Sequence, residues 1–293
     1  MLTVTTVSRS FGDHRVLDDV SFDVRPGRMT GFLGANGSGK TTTMRIILGV
    51  LAPHSGTVTW NGAPVSQDVR QRFGYMPEER GLYPKMKVAE QVSWLGQLHG
   101  LTADKAKANT ERLLDQLELS TRAGDKLEAL SLGNQQRVQI AAALVHDPDV
   151  LILDEPFSGL DPLAVETVLG VLRERAADGV PVLFSSHQLA VVEKLCDDLV
   201  IISGGAIAAA GGREELRAKY GTSRFELVTD TDTGWLRDQP GIRIVDLDGP
   251  RALFDLDVPG ADQQVLTAAL GRGPVRAFSP VVPTLDEIFR EVI

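Results

Sequence analysis

Gly34-Ala35-Asn36-Gly37-Ser38-Gly39-Lys40-Thr41 decides the fold of this chain. The stretch satisfies G-x-x-x-x-G-K-[ST], the pattern of a loop that cradles phosphates. Its flanks agree. Met29-Thr30-Gly31-Phe32-Leu33 reads as a short buried strand, and Thr42 to Leu48 reads as a helix that stops near Gly49. Glycines let the backbone turn tightly enough for successive N–H groups to point at one anion, and the helix N-terminus adds a favourable dipole. Lys40 is expected to neutralise the β- and γ-phosphates, and the Thr41 hydroxyl to complete a Mg²⁺ shell. Gly34, Asn36, Gly37, Ser38, Gly39, Lys40, Thr41 and Thr42 are therefore candidate nucleotide-binding residues.

Outward from the loop, the first 60 or so residues alternate like strands. Leu2 to Val7, Val20 to Val24 and Gly56 to Trp60 have period two, the last running into the turn Asn61-Gly62. From Val88 to Glu118 the pattern becomes helical, with charges on the exposed faces of Lys105 to Leu119. Short apolar runs at Val150 to Leu153 and Pro181 to Phe184 suit parallel strands buried on both faces. Helices are expected over Asn134 to Val145 and Leu163 to Ala177. The reading is an α/β core with an antiparallel β segment and a helical insertion. Composition shifts near Gly211-Gly212. Beyond it Phe225–Val228, Arg243–Leu247 and Ala252–Asp257 look like strands, and Gln263–Leu270 and Asp286–Val292 like helices. Residues 1–220 are thus expected to form one domain, with the insertion near 86–135, and residues 221–293 a small α+β accessory domain.

Composition narrows the partners. The chain has 293 residues, 43% hydrophobic and 24% charged, as in an ordinary globular protein. A net charge of −9 gives no support to nucleic-acid binding as a bulk property. No apolar run reaches membrane-spanning length, and the charged-then-apolar layout of a signal peptide is not seen. The lone cysteine, Cys196, argues against an internal disulfide and for a reducing cytoplasm, with a buried structural thiol expected.

Asp154-Glu155 closes the apolar run Val150 to Leu153. Open α/β sheets bind ligands at the carboxyl ends of their strands, so this pair is expected beside the phosphate loop. Asp154 would hold Mg²⁺, and Glu155 would orient and polarise the water that attacks the γ-phosphate.

With these motifs in this order, residues Leu2 to Gly212 resemble an ATP-binding cassette (ABC) ATPase. The resemblance implies a P-loop NTPase core of ABC type that binds ATP and Mg²⁺. Phe11 falls where the family places an adenine-stacking aromatic, usually Tyr. Leu130-Ser131-Leu132-Gly133-Asn134-Gln135-Gln136-Arg137 is similar to the family signature Leu-Ser-Gly-Gly-Gln, with Leu132 for the first Gly and Asn134 for the Gln. Ser131, Gly133 and Asn134 become candidate nucleotide contacts. Ser158-Gly159-Leu160-Asp161 resembles the dimer-contacting loop, which adds Asp161. His187 matches the switch histidine and joins Lys40 and Glu155 as a catalytic candidate. Glu78 stands where the family usually has Gln, and joins Thr41 and Asp154 as a metal candidate.

The resemblance further implies a site split between two copies, with the phosphate loop of one facing the signature helix of the other. Glu78, the Asn-Gln-Gln signature variant and the ending Leu285 to Phe289 are similar to a bacterial sodium- and antibiotic-efflux subgroup with a C-terminal accessory domain. That implies a subunit peripheral on the cytoplasmic face of the membrane, powering export through a separate integral-membrane permease that Arg80 to Lys87 would meet. The rival readings are a soluble ABC-type ATPase acting on ribosomes or DNA, or one serving iron–sulfur assembly. One phosphate loop, one signature and an acidic net charge weigh against the first.

Overall fold

Met29–Leu33 (β3) is buried at all five residues, Thr30 included, and lies in the middle of a sheet, as a short run with no charged residue suits. The computed structural model describes residues 1–79, 81–187, 192, 194–220, 223–281 and 287. The chain divides into two units, Met1–Arg213 and Glu214–Ile293. This division precedes the join after Tyr220 suggested by composition. It falls beside the compositional shift near Gly211-Gly212, and the helix Arg213–Tyr220 follows the last core strand without a linker.

In the first unit, β1 (Leu2–Phe11), β2 (His14–Val24), β4 (Ser55–Trp60) and β5 (Ala63–Pro64) form an antiparallel sheet in the order β2-β1-β4-β5. Six further strands form the second sheet: β3, β6 (Phe73–Met76), β7 (Val150–Leu153), β8 (Val182–Ser186), β9 (Asp198–Ser203) and β10 (Ala206–Gly212). Its order is β10-β9-β3-β8-β7-β6, parallel except for the antiparallel edge strand β10. Helix α1 (Lys40–Ile47) follows β3, and its Met44, Ile46 and Ile47 share one core with Phe22 of the first sheet and Phe32, Ile152 and Leu183 of the second. The short helix α2 (Gln67–Arg70) precedes β6. The helical insertion comprises α3 (Val88–Leu98), α4 (Ala103–Gln116) and α5 (Leu132–Leu144), and α6 (Pro162–Ala177) follows β7. Strands β5, β6, β9 and β10 are additional to the sequence expectation.

Cys196 is buried against β3, where a Cβ at Gly31 would stand 2.6 Å from its sulfur. Burial pushes the thiol well above its ordinary range, which suits a structural rather than a reactive group. At the end of α3, His99 stacks on His146 with ring centroids 3.8 Å apart. Burial, then the neighbouring His99, lowers His146 from 6.5 to about 4. Between those values the unfolded chain binds a proton that the folded chain refuses. The stability this group confers is complete above about pH 6.5 and is lost as pH falls toward 4, on the order of 3 kcal/mol in all. Urea unfolding at neutral pH and near pH 4.5 should show this dependence reduced in His146→Gln. An unchanged pH dependence in that variant would remove His146 as its source.

In the second unit, β11 (Arg224–Thr229), β12 (Ile242–Asp248), β13 (Arg251–Leu256) and β14 (Val275–Pro280) form an antiparallel sheet ordered β12-β13-β11-β14. Leu227 and Phe254 pack with Val265 and Ala269 of the helix Ala261–Leu270. β14 is additional to the sequence expectation, and the helix expected over Asp286–Val292 lies outside the described residues except for Glu287. Among the described residues no helix is long and apolar enough to cross a membrane.

Candidate nucleotide and metal site

Where β3 ends, the loop 34–39 turns into α1 through Gly39, whose φ of +111° lies in the region that favours glycine. A Cβ at Gly39 would stand 2.5 Å from a methyl of Leu17, and one at Gly34 would stand 2.4 Å from Ser38 Oγ. The loop therefore closes on itself only with glycine at both places. Lys40 is nearly buried, and its ammonium donates to the carbonyls of Gly34 at 2.7 Å and Ala35 at 3.2 Å. The Ser38 hydroxyl is buried in the same loop without a protein partner. The helix N-terminus and the Lys40 ammonium at this loop fit a phosphate chain, while Ser38 itself does not line the cleft beside the loop.

Three parallel strand ends deliver the carboxylates. β6 pairs with β7 through Met76 and Leu153, and β7 with β8 through Leu153 and Phe184, so residues just past each end converge. Asp154 is fully buried; its carboxylate accepts from Thr41 Oγ1 at 2.9 Å and from Ser185 Oγ at 2.5 Å. Ser185 Oγ in turn accepts from the Glu155 backbone N–H at 2.8 Å. Glu155 itself has φ +52°, left-handed for a residue with a Cβ, a strain of the kind concentrated at functional sites. Its side chain is almost buried, and Oε2 lies 2.9 Å from Nδ1 of the more exposed His187 ring. Burial first, then the Asp154 carboxylate, pushes the nearby Tyr75 phenol above its ordinary range against the opposing Arg45 guanidinium. A hydroxyl from Thr41 with carboxylates from Asp154 and Glu78 is an oxygen donor set suited to Mg²⁺.

A cleft of about 400 Å³ runs along these groups. His14, Val16 and Asn36 line one stretch, Gly37, Gly39, Lys40, Thr41 and Thr42 another, and Glu78, Asp154 and Glu155 the rest. His14 and Val16 escaped the sequence reading. Strand alternation in β2 sets His14 and Val16 on the face opposite the buried Leu17, but nothing in that pattern says which groups the face meets. Phe11 pairs with His14 across the β1–β2 hairpin but does not line the cleft; its ring is 49% exposed with the Arg9 guanidinium 5.0 Å from its centroid.

Ser131, Gly133, Asn134 and Asp161 do not line this cleft either. Ser131 caps α5, accepting from the Asn134 N–H at 3.3 Å, so the helix starts two residues before the sequence expectation. The Asn134 amide oxygen accepts from Arg137 at 2.5 Å. Asp161 caps α6, accepting from the Ala164 N–H at 2.9 Å, with Pro162 opening the helix. The two helix starts are neighbours, since a Cβ at Gly133 would stand 3.4 Å from the Gly159 carbonyl oxygen. They make a second face, separate from the phosphate loop of the same chain.

Comparison with known proteins agrees with this architecture. Residues 17–158 match the family model of the ABC transporter, and residues 211–293 match that of the ATP-binding protein DrrA1-3-like C-terminal domain. The chain is 37% identical, over its full length and 98% of the relative's, to the "Uncharacterized ABC transporter ATP-binding protein YhaQ" of Bacillus subtilis (strain 168). It is 34% identical to the Nod factor export ATP-binding protein I of Cupriavidus metallidurans, covering 94% of this chain and 92% of that one. It is also 34% identical to the linearmycin resistance ATP-binding protein LnrL of Bacillus subtilis (strain 168), covering 75% and 72%. A solved structure described as an ATP binding subunit of ABC transporter superposes with a TM-score of 0.70 at 33% identity, over 75% of this chain and 93% of that one. With its phosphate loop, its two sheets and its C-terminal unit, this chain belongs to the ATP-binding subunits of ABC transporters, in the branch that carries a DrrA-like C-terminal domain.

Proposed function

We propose that this subunit hydrolyses ATP with Mg²⁺, as a pair of copies, and so powers export through a separate membrane protein on whose cytoplasmic side it sits. The observation that carries the reading is the bonded series Thr41–Asp154–Ser185–Glu155–His187 at the mouth of the phosphate loop. When bound, Mg²⁺ would neutralise charge on the phosphates, held by Thr41, Asp154 and Glu78. Lys40 leaves its loop carbonyls to contact the β- and γ-phosphates. Glu155 takes the proton of the attacking water, and His187 fixes its carboxylate while reaching toward the γ-phosphate. Ser131 and Gly133, on the second face with Asp161, contact the nucleotide of the other copy, and Phe11 supplies a π-face for adenine.

Two observations support the membrane partner. The names of the relatives include export and resistance proteins. Tyr83 and Trp94 meet edge to face at 5.9 Å on the surface, with Leu98 exposed one turn further along α3. This apolar patch, beside a small cleft lined by Leu82 and Leu95, suits a short amphipathic helix of a membrane subunit. Purification from native membranes with the associated protein identified by mass spectrometry tests the reading. Recovery with a polytopic membrane protein supports it, and recovery only with cluster-assembly or ribosomal proteins would overturn it.

Glu78 allows a sharper check. A carboxylate here both attracts the metal and repels the phosphates; the metal effect should win, because Mg²⁺ is the largest local charge. Glu78→Gln is expected to raise the Mg²⁺ concentration for half-maximal ATPase activity, with at most about a tenfold loss of rate at saturating metal. Transport should fall more than hydrolysis. A variant that stays as inactive as Glu155→Gln in excess Mg²⁺ would contradict this division of labour.

A further inference from the structure

Side-chain amides tie helix α5 to the backbone at Glu155 and around Glu78, two of the three residues whose carboxylates line the cleft of the same chain. Gln136 and Gln139 stand three residues apart on one side of the helix and are 3% and 4% exposed. Gln136 Nε2 donates to the carbonyls of Glu155 at 3.1 Å and Pro156 at 3.2 Å. Gln139 Nε2 donates to the carbonyls of Pro77 at 2.7 Å and Glu79 at 3.3 Å, the residues on either side of Glu78. A third amide holds the same segment further on: Gln91 of α3 is buried, accepts from the Tyr83 N–H at 2.5 Å and donates to the Tyr83 carbonyl at 3.3 Å. Replacing Gln136 by an apolar group would take the amide donor from the buried Pro156 carbonyl and leave that of Glu155 held only by the Ser158 N–H, and replacing Gln139 would free the carbonyls of Pro77 and Glu79. A hydrogen-bonded helix moves as a stiff rod, so a shift at Ser131 displaces Gln136 and Gln139 with it.

We infer that Gln136 and Gln139 are positioning residues that tie Glu155 and Glu78 to α5, so that a ligand held at the Ser131 end of the helix sets both carboxylates in the same chain. This rests on the proposed contact of Ser131 with the nucleotide of a second copy. Each copy then adjusts its own site according to the nucleotide bound by its partner. The coupling is reciprocal, so hydrolysis is cooperative in ATP.

The test begins without metal or nucleotide. Gln139→Met keeps the length and helix preference of the side chain and removes its donors, and Gln136→Met does the same one turn away. Amide hydrogen exchange should accelerate by about fivefold or more in peptides covering 76–83 for Gln139→Met and 155–158 for Gln136→Met, each leaving the other peptide near wild type. Binding of ATP in EDTA should stay within about twofold of wild type, which shows that the variants fold. The Hill coefficient for ATP hydrolysis should fall toward about one in both. Gln139→Asn, whose shorter amide cannot span both carbonyls, should behave like Gln139→Met and guards against a defect peculiar to the thioether. Exchange unchanged in either Met variant overturns the clamp. Faster exchange with an undiminished Hill coefficient overturns the link between copies. A wild-type protein whose specific activity is independent of its concentration and whose Hill coefficient is one refutes the paired-site reading itself, while the exchange result still judges the clamp within one chain.

Discussion

Glu155→Gln is expected to leave ATP binding intact and to lower turnover by roughly 10²–10⁴, the scale of a lost general base. The prediction follows from geometry as much as from residue type. The Glu155 peptide is pinned on both sides, its N–H by Ser185 and its carbonyl by Gln136, and its left-handed φ sets the carboxylate beside the cleft and against His187. A glutamine has nearly the same shape and keeps an oxygen acceptor, so the loop should hold its conformation while the proton acceptor is lost. The paired, nucleotide-bound form should then accumulate, because closure occurs and cleavage does not. Phosphate release and size-exclusion chromatography with ATP check both parts. Near-normal phosphate release would remove Glu155 as the base.

Ser131→Arg should abolish pairing and hydrolysis together while sparing nucleotide binding by the single copy. Ser131 does not line the cleft beside the phosphate loop of its own chain and opens α5, where its hydroxyl caps the helix. Loss of the cap costs about 1 kcal/mol, too little to unfold a unit of ordinary stability. The larger effect is steric: in the proposed pair a long guanidinium would occupy the place where the other copy would bring its γ-phosphate. Equilibrium binding of ATP in EDTA should be near wild type, and light scattering with ATP should find a monomer. Hydrolysis by a demonstrably monomeric Ser131→Arg protein would mean that each copy carries a complete site.

Much of the site is legible in the sequence because its parts are local. Gly34 to Thr41 makes its cradle from consecutive backbone, and the glycine positions follow from close approaches within that loop and to its immediate packing. Val150 to Leu153 declares itself as a doubly buried strand through an unbroken apolar run, and Met29 to Leu33 does so with only Thr30 interrupting. β6 is less readable, since four residues containing a glycine acquire strand character from pairing with β7. β9 carries the same apolar signal in Leu199 to Ile202, whereas β10, largely alanine and glycine, is a strand through its pairing with β9.

Sequence alone determined the nucleotide loop, the acidic pair after β7 and the α/β class, because short-range sterics and hydrophobic periodicity act between near neighbours. Tertiary structure alone decided that His14 and Val16 line the cleft while Phe11 lies outside it, that Ser185 joins Asp154 to the backbone of Glu155, and that Gln136 and Gln139 hold the backbone at Glu155 and around Glu78. Each of these contacts joins residues far apart in the chain through one hydrogen bond or one packed face. Such a bond has no period and no local pattern; it exists only when parallel pairing of β6, β7 and β8 brings their ends together beneath α5.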